Sequence, residues 1–257
     1  MEPLLLAGGA EGIASFTLQP DGRLIPAHRL ALPGSSAWIA PHHSGRHLFT
    51  TLNSPPPVAG GSDAVPVTDV AAVELEPGSG AVRLINRQPC GRTPCHCAVH
   101  DTGRWLLSAN FLGGEVVVHP IRSDGSLGPA SQRQSQLAAA GLPPDDEPTL
   151  AAGDGRSAAH HVALSPRGGH LALVSDLRLD SVIGYRFDAA EGRLLAAGRV
   201  ERSVAPPYAH QPLPRRPDPG VPPPALGTRA AGTWSSGRQA TSRTASTRAG
   251  SATRRPA

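Results

Sequence analysis

Between Thr93 and Pro120 the chain reads TPCHCAVHDTGRWLLSANFLGGEVVVHP, and its apolar residues fall into three short runs. CHCAV, RWLLSAN and EVVVHP are separated by HDTG and FLGG, turns marked by Asp and Gly. Runs of this length between such turns predict antiparallel strands with tight connections. The grammar recurs. AWIAPHHSGRHLFTTLN (Ala37 to Asn53), CHCAVHDTGRWLLSAN (Cys95 to Asn110) and HHVALSPRGGHLALVSD (His160 to Asp176) each give a buried run, a turn and a second run. A second phrase, a turn followed by Leu or Val, alternates with the first. It appears as PDGRL around Asp21 to Leu24, GSGAV at Gly78 to Val82, SDGSL at Ser123 to Leu127 and AEGRL at Ala190 to Leu194. Ordered self-similarity at roughly 45 to 65 residues, with several strands per unit, predicts an all-β fold built of propeller blades. A sandwich supplies as many strands but does not predict the ordered recurrence.

At the start of the chain, Pro3 to Gly8 and Gly12 to Leu18 pair around GGAEG, and Asp21-Gly22 turns the chain back through Leu24. The glycines of GGAEG fit neither a Walker loop nor a dinucleotide fingerprint. Two longer connections, Asn53 to Val67 and Gln134 to Ala159, are expected to be irregular, as a rim over a site or as surface excursions.

Composition supports short strands: charged residues are 17%, aromatics 4%, and Gly (29) and Pro (28) are abundant. The net charge is +4 and no Lys occurs, so every basic side chain other than His is Arg. GC-rich coding accounts for that usage, and nucleic-acid binding is the disfavoured explanation. No apolar run approaches the roughly 20 residues of a membrane span. MEPLLLAGGAEG lacks a basic leader region, so a cytoplasmic protein without membrane attachment is expected. Cys95 and Cys97 flank His96, but strand alternation puts both thiols on one face and His96 on the other. Buried reduced thiols, and no metal site, are the expectation.

GIASF, PDGRL, PCHCAV followed by HDTGR, SANFLGGEVVVHPI, AHHVALSP and SDLRLDSVIGYRFDAAEGRL together resemble the lactonase family of seven-bladed propellers. That family includes 6-phosphogluconolactonases and carboxy-muconate cyclising enzymes. The resemblance runs from about Met1 to Val204, in order. It implies four-stranded blades around a central channel, a small-molecule lactone bound at one mouth, hydrolysis of its ester bond and no cofactor. It also implies that His160 is the catalytic histidine. Arg156, Asn110 and Asp176 stand beside it as candidate substrate-binding residues, Arg156 for an anionic group. The chain departs from the pattern in three places. Ala158 stands where the family usually has a first histidine, with His161 an extra neighbour of His160. Ser54 follows Asn53 where the family carries Glu, and the DLG-x-D phrase is DLRLD from Asp176 to Asp180.

From Pro206 to Ala257 the text loses all strand or helix periodicity, holds no Ile or Phe, and has one acidic residue, Asp218. Two domains are thus expected, a partial propeller over residues 1–205 and a disordered Pro/Arg/Ser-rich tail over 206–257. Out-of-frame reading of GC-rich DNA accounts for the tail, with a functional Arg-rich segment as the alternative. About half the blades would then be encoded, leaving an open edge through which the chain self-associates. A non-catalytic propeller-like binding module is the alternative to a lactonase.

Overall fold

The structure, a computed structural model, describes residues 4–53, 68–146, 155–166 and 168–201. Most of the expected irregular stretch after Asn53, part of the second one, and the tail expected to be disordered lie outside the described residues. All described sheets belong to the first of two units into which the chain divides, Met1–Ala205 and Pro206–Ala257.

Among the described residues the fold is all-β apart from one four-residue helix, and it is made of four sheets taken in chain order. Blade 1 comprises β1 (Leu4–Gly9), β2 (Gly12–Leu18) and β3 (Leu24–Ala31). Blade 2 comprises β4 (Ser35–Pro41), β5 (His47–Asn53), β6 (Thr68–Leu75) and β7 (Val82–Pro89). Blade 3 comprises β8 (Pro94–Val99), β9 (Trp105–Asn110), β10 (Glu115–Pro120) and β11 (Gln132–Ser135), followed by α1 (Gln136–Ala139). Blade 4 comprises β12 (Ala159–Leu164), β13 (Leu171–Asp176), β14 (Ser181–Asp188) and β15 (Arg193–Glu201). Every pairing is antiparallel between consecutive strands, as short turns require.

The inner strands of blades 3 and 4 pack on the inner and second strands of the blade before them. Thus β12 touches β8 and β9, and β8 touches β4 and β5. The strand β4 instead touches β1 most closely and β2 less, while the outer strand β7 packs on β3. By that correspondence β1 holds the place of a second strand, and among the described residues blade 1 lacks an innermost one. Beside β1 lies a cavity of about 260 Å³ lined by Leu6, Gly8 and Ser36 to Ile39.

Period-two alternation builds the core between blades. In β14, Ser181, Ile183, Tyr185 and Phe187 are buried while Val182 and Arg186 face out. Blade 4 thereby joins Trp105, Leu107, Val116 and Val118 of blade 3 in one apolar cluster. Two further clusters join blade 2 to blade 3 and blade 1 to blade 2. Each fully buried side chain of this kind contributes about 1.5–3 kcal/mol.

The short turn phrases lock these joints. Gly80, Gly125 and Gly192 sit in the turn between the third and fourth strands, each with positive φ. A Cβ at Gly192 would overlap the Trp105 ring, one at Gly125 the His47 ring, and one at Gly80 would press on Leu4. Leu4, His47 and Trp105 begin the second strand of the preceding blade or hold its place. The recurring glycine of the sequence phrase therefore admits the neighbouring blade's side chain as well as the turn.

Two expectations are corrected. The stretch from Gln134 is not wholly irregular: its first residues complete β11 and α1, and Gln136 Nε2 donates to the Tyr185 hydroxyl at 2.9 Å. Cys95 and Cys97 do not share a face, because β8 is bulged between Pro94 and His96 and the alternation breaks there. Cys97 is buried in the cluster with blade 2, whereas the Cys95 thiol points to the Ala159 and His160 carbonyls of blade 4.

Candidate functional site

The three inner strands carry the same bulge at the same place. It falls between Ser36 and Trp38 in β4, Pro94 and His96 in β8, and Ala159 and His161 in β12. The extra residues, Ala37, Cys95 and His160, are therefore equivalent, and so are Trp38, His96 and His161. The bulge turns the second group into a row that steps from blade to blade. Trp38 and His96 ring centroids lie 4.2 Å apart, and His96 and His161 3.8 Å apart.

His160, the predicted catalytic residue, is exposed beside this row, with its ring edge-on to Phe111 at 5.8 Å. Phe111 follows Asn110 at the end of β9, and its other neighbour is Arg178, whose guanidinium carbon stands 5.7 Å from the ring centre. Arg178 Nη1 also donates to the Gly155 carbonyl at 2.5 Å. An imidazole, an aromatic face and a cation are thus gathered where blades 3 and 4 meet.

Burial holds the His96 imidazole down to about 3, and the neighbouring His161 and His160 add to the effect. Burial also lowers His161, with His160 adding. The Val162 N–H donates to His96 Nδ1 at 3.4 Å, which places the ring proton on Nε2. Burial raises the Cys95 thiol to about 11 and Cys90 to about 12, so neither is a thiolate near neutral pH. Among the described residues no group of His, Cys, Asp and Glu is arranged to hold a metal ion.

The depressed imidazole has a consequence for stability. The unfolded chain protonates its histidines as pH falls through about 6.5, whereas folded His96 stays neutral until about 3. Between those values the unfolded state binds more protons, so stability is full above 6.5 and declines as pH drops toward 3. The thermal midpoint is expected to fall across that window, and to fall less in His96→Phe. An unchanged slope in the variant would remove His96 as the source.

The other predicted site residues are placed differently. Asn110 is fully buried; its Nδ2 donates to the Cys90 carbonyl at 3.0 Å, and its Oδ1 accepts from the Cys90 thiol. Asp176 is buried too. Its carboxylate accepts from Ser157 Oγ (2.5 Å) and from the backbone N–H groups of Ala158 (2.9 Å), Arg178 (3.1 Å) and Leu179 (3.0 Å). Arg156 donates from its backbone N–H and its Nε to the Asp145 carboxylate, both at 2.8 Å, and from Nη2 to the Pro143 and Pro144 carbonyls. The structure thus brings Asn110 and Asp176 to the same rim as His160, but engages their polar atoms with protein partners. Trp38, Phe111 and Arg178 were not singled out from the sequence. Aligning the three buried-run phrases column by column would have put Trp38, His96 and His161 together. Nothing local marks Phe111. The opposite rim holds a larger cavity, about 560 Å³, lined by Arg46, Arg104, Arg122, His42 and His47 among others, and none of the predicted site residues lies there.

Antiparallel blades packed one after another, with inner strands presenting imidazoles at one rim, define a β-propeller fold over the described residues. The chain belongs to the lactonase family of seven-bladed β-propellers, whose family description matches residues 5–207. It is 28% identical over 201 residues to the 6-phosphogluconolactonase of Bacillus subtilis, covering 77% of this chain and 51% of that protein. The chain thus spans about half the length of that curated relative. Among solved structures it resembles a candidate 6-phosphogluconolactonase from Bacteroides fragilis, with TM-score 0.61, 20% identity, and coverage of 79% of this chain and 55% of the other. It also resembles the periplasmic gluconolactonase of Pseudomonas aeruginosa, with TM-score 0.57, 20% identity, and coverage of 79% and 68%. These two likenesses show the fold.

Proposed function

We propose that this protein hydrolyses the ester bond of a sugar-acid lactone, with His160 as the proton acceptor at the rim between blades 3 and 4. The observation that carries the reading is the position of His160. It is exposed at a strand bulge, against Phe111 and beside the His96–His161 pair. An imidazole is the usual group for taking a proton from water near neutral pH. In the proposed step, water adds to the lactone carbonyl as His160 takes its proton. The ring C–O bond then breaks, and the alkoxide leaving group recovers a proton to give the open hydroxy acid. Burial keeps His96 uncharged, so it offers a neutral Nε2–H donor to the site.

Arg178 is the cation in the right place to meet an anionic group on the sugar acid, since it shares Phe111 with His160. Arg156 shapes the same edge through its hold on Asp145, and Asn110 and Asp176 position the backbone around it. A sugar-acid substrate places the protein in carbohydrate metabolism. Three free thiols, Cys90, Cys95 and Cys97, fit a reducing compartment such as the cytoplasm.

The test is hydrolysis of 6-phosphogluconolactone by the purified 257-residue chain, read against spontaneous hydrolysis. A rate above background that falls about 100-fold or more in His160→Ala is the expected result. A rate no greater than background would leave a non-catalytic binding module in place of the enzyme.

A further inference from the structure

We propose that this chain binds a second copy of itself head to tail, the free face of blade 4 in one copy packing on the free face of blade 1 in the other. The argument rests on strand register. In blade 3, Trp105 and Leu107 of β9 and Val116 and Val118 of β10 face blade 4 and are buried. The same register positions in blade 4 are Leu171 and Leu173 of β13 with Val182 and Gly184 of β14. No described residue covers them, and Leu171, Leu173 and Val182 are 47%, 49% and 38% exposed. Blade 4 thus repeats, with apolar side chains, the face that blade 3 uses to hold its successor.

Blade 1 carries the complementary half. Blade 4 meets blade 3 with Ala172, Val174, Ile183, Tyr185, Phe187 and Leu194. Both sheets have a bulge at the same point, before Tyr185 in one and before Phe16 in the other. Aligning those bulges puts Leu5, Ala7, Ala14, Phe16, Leu18 and Leu24 of blade 1 at the same six positions. Leu5 and Leu24 are 41% and 44% exposed, against full burial or nearly so for their counterparts. The turn glycines agree. Gly80, Gly125 and Gly192 each receive a side chain from the preceding blade, while Gly22, with φ of 84°, has open space above it. Leu171 corresponds to Leu4, His47 and Trp105, which fill that space at the three internal joints. Among the described residues, one chain therefore presents both an uncovered knob at Leu171 and an unfilled seat at Gly22.

The inferred contact continues an interface that the fold already makes three times. It is heterologous, because two different faces meet.

Sedimentation of the full chain, with Leu171→Arg and Leu24→Arg, tests this. Both positions are exposed, so the variants keep the wild-type fold, checked by their circular dichroism. The wild type is expected to associate with rising concentration, and each variant alone to sediment as a monomer. Mixing the two is expected to restore a one-to-one pair, since each retains the face that the other lacks. A wild type that stays monomeric, or variants that do not pair on mixing, would overturn the proposal.

Discussion

Replacing Asp176 by alanine is expected to destabilise the protein by about 3–5 kcal/mol, among the largest single-residue effects in the fold. The carboxylate ends β13 and accepts from Ser157 Oγ and from three backbone N–H groups, those of Ala158, Arg178 and Leu179. Alanine would leave the three N–H groups without this partner, with Ser157 Oγ keeping the Gly114 carbonyl, at a site where Asp176 is only 2% exposed. Each buried unsatisfied group costs about 1–3 kcal/mol, and some relaxation toward solvent offsets the sum. Asp176→Asn keeps one acceptor oxygen for the backbone and should lose roughly 1 kcal/mol. Urea denaturation at fixed pH measures both. A loss under 1 kcal/mol for the alanine variant would show that these bonds do not hold the turn.

The second large effect is expected at the joint between blades 3 and 4. Trp105 is 8% exposed, donates from Nε1 to the Ala189 carbonyl at 2.8 Å, meets Phe187 edge-on and lies over Gly192. Trp105→Ala should cost about 3–5 kcal/mol through lost burial and the cavity left behind. Gly192→Ala should cost roughly 2 kcal/mol, because the new methyl meets the indole and φ is 65°. The two losses are not expected to add. With the indole gone the methyl has room, and only the backbone term remains, so the double variant should recover about 1 kcal/mol. Additive losses would mean that the ring and the glycine do not constrain one another.

Asp176 and Trp105 also show where reading the chain alone succeeds and where it stops. The phrase containing each was visible as a repeat, because a strand half-buried between blades must alternate and its turn must contain a permissive residue. Asp176 ends the third such phrase as Asn53 and Asn110 end the first two, and all three pair with the start of their blade's inner strand. Only the structure shows what the buried pair of them does. Asn110 and Asp176 bind backbone groups, and Asp176 gathers donors from the residues just before β12 and just after β13. His96 is similar. Simple alternation put it opposite two cysteines, but the bulge at Cys95 moved one thiol toward blade 4 and turned His96 into a row with Trp38 and His161.

The sequence by itself determined that this protein is a run of antiparallel strands in repeating blades, where the turns lie, and that His160 lies near the start of a buried strand. Those properties follow from period-two alternation and from local turn chemistry, which a few neighbouring residues decide. Tertiary structure alone decided which inner-strand side chains meet, that Phe111 and Arg178 join His160, and that Asn110, Asp176 and Arg156 have protein partners. It also decided that blade 1 holds no innermost strand among the described residues. These depend on bulges and on packing between residues up to a blade or more apart in the chain, and no local pattern records which distant surface a side chain will face.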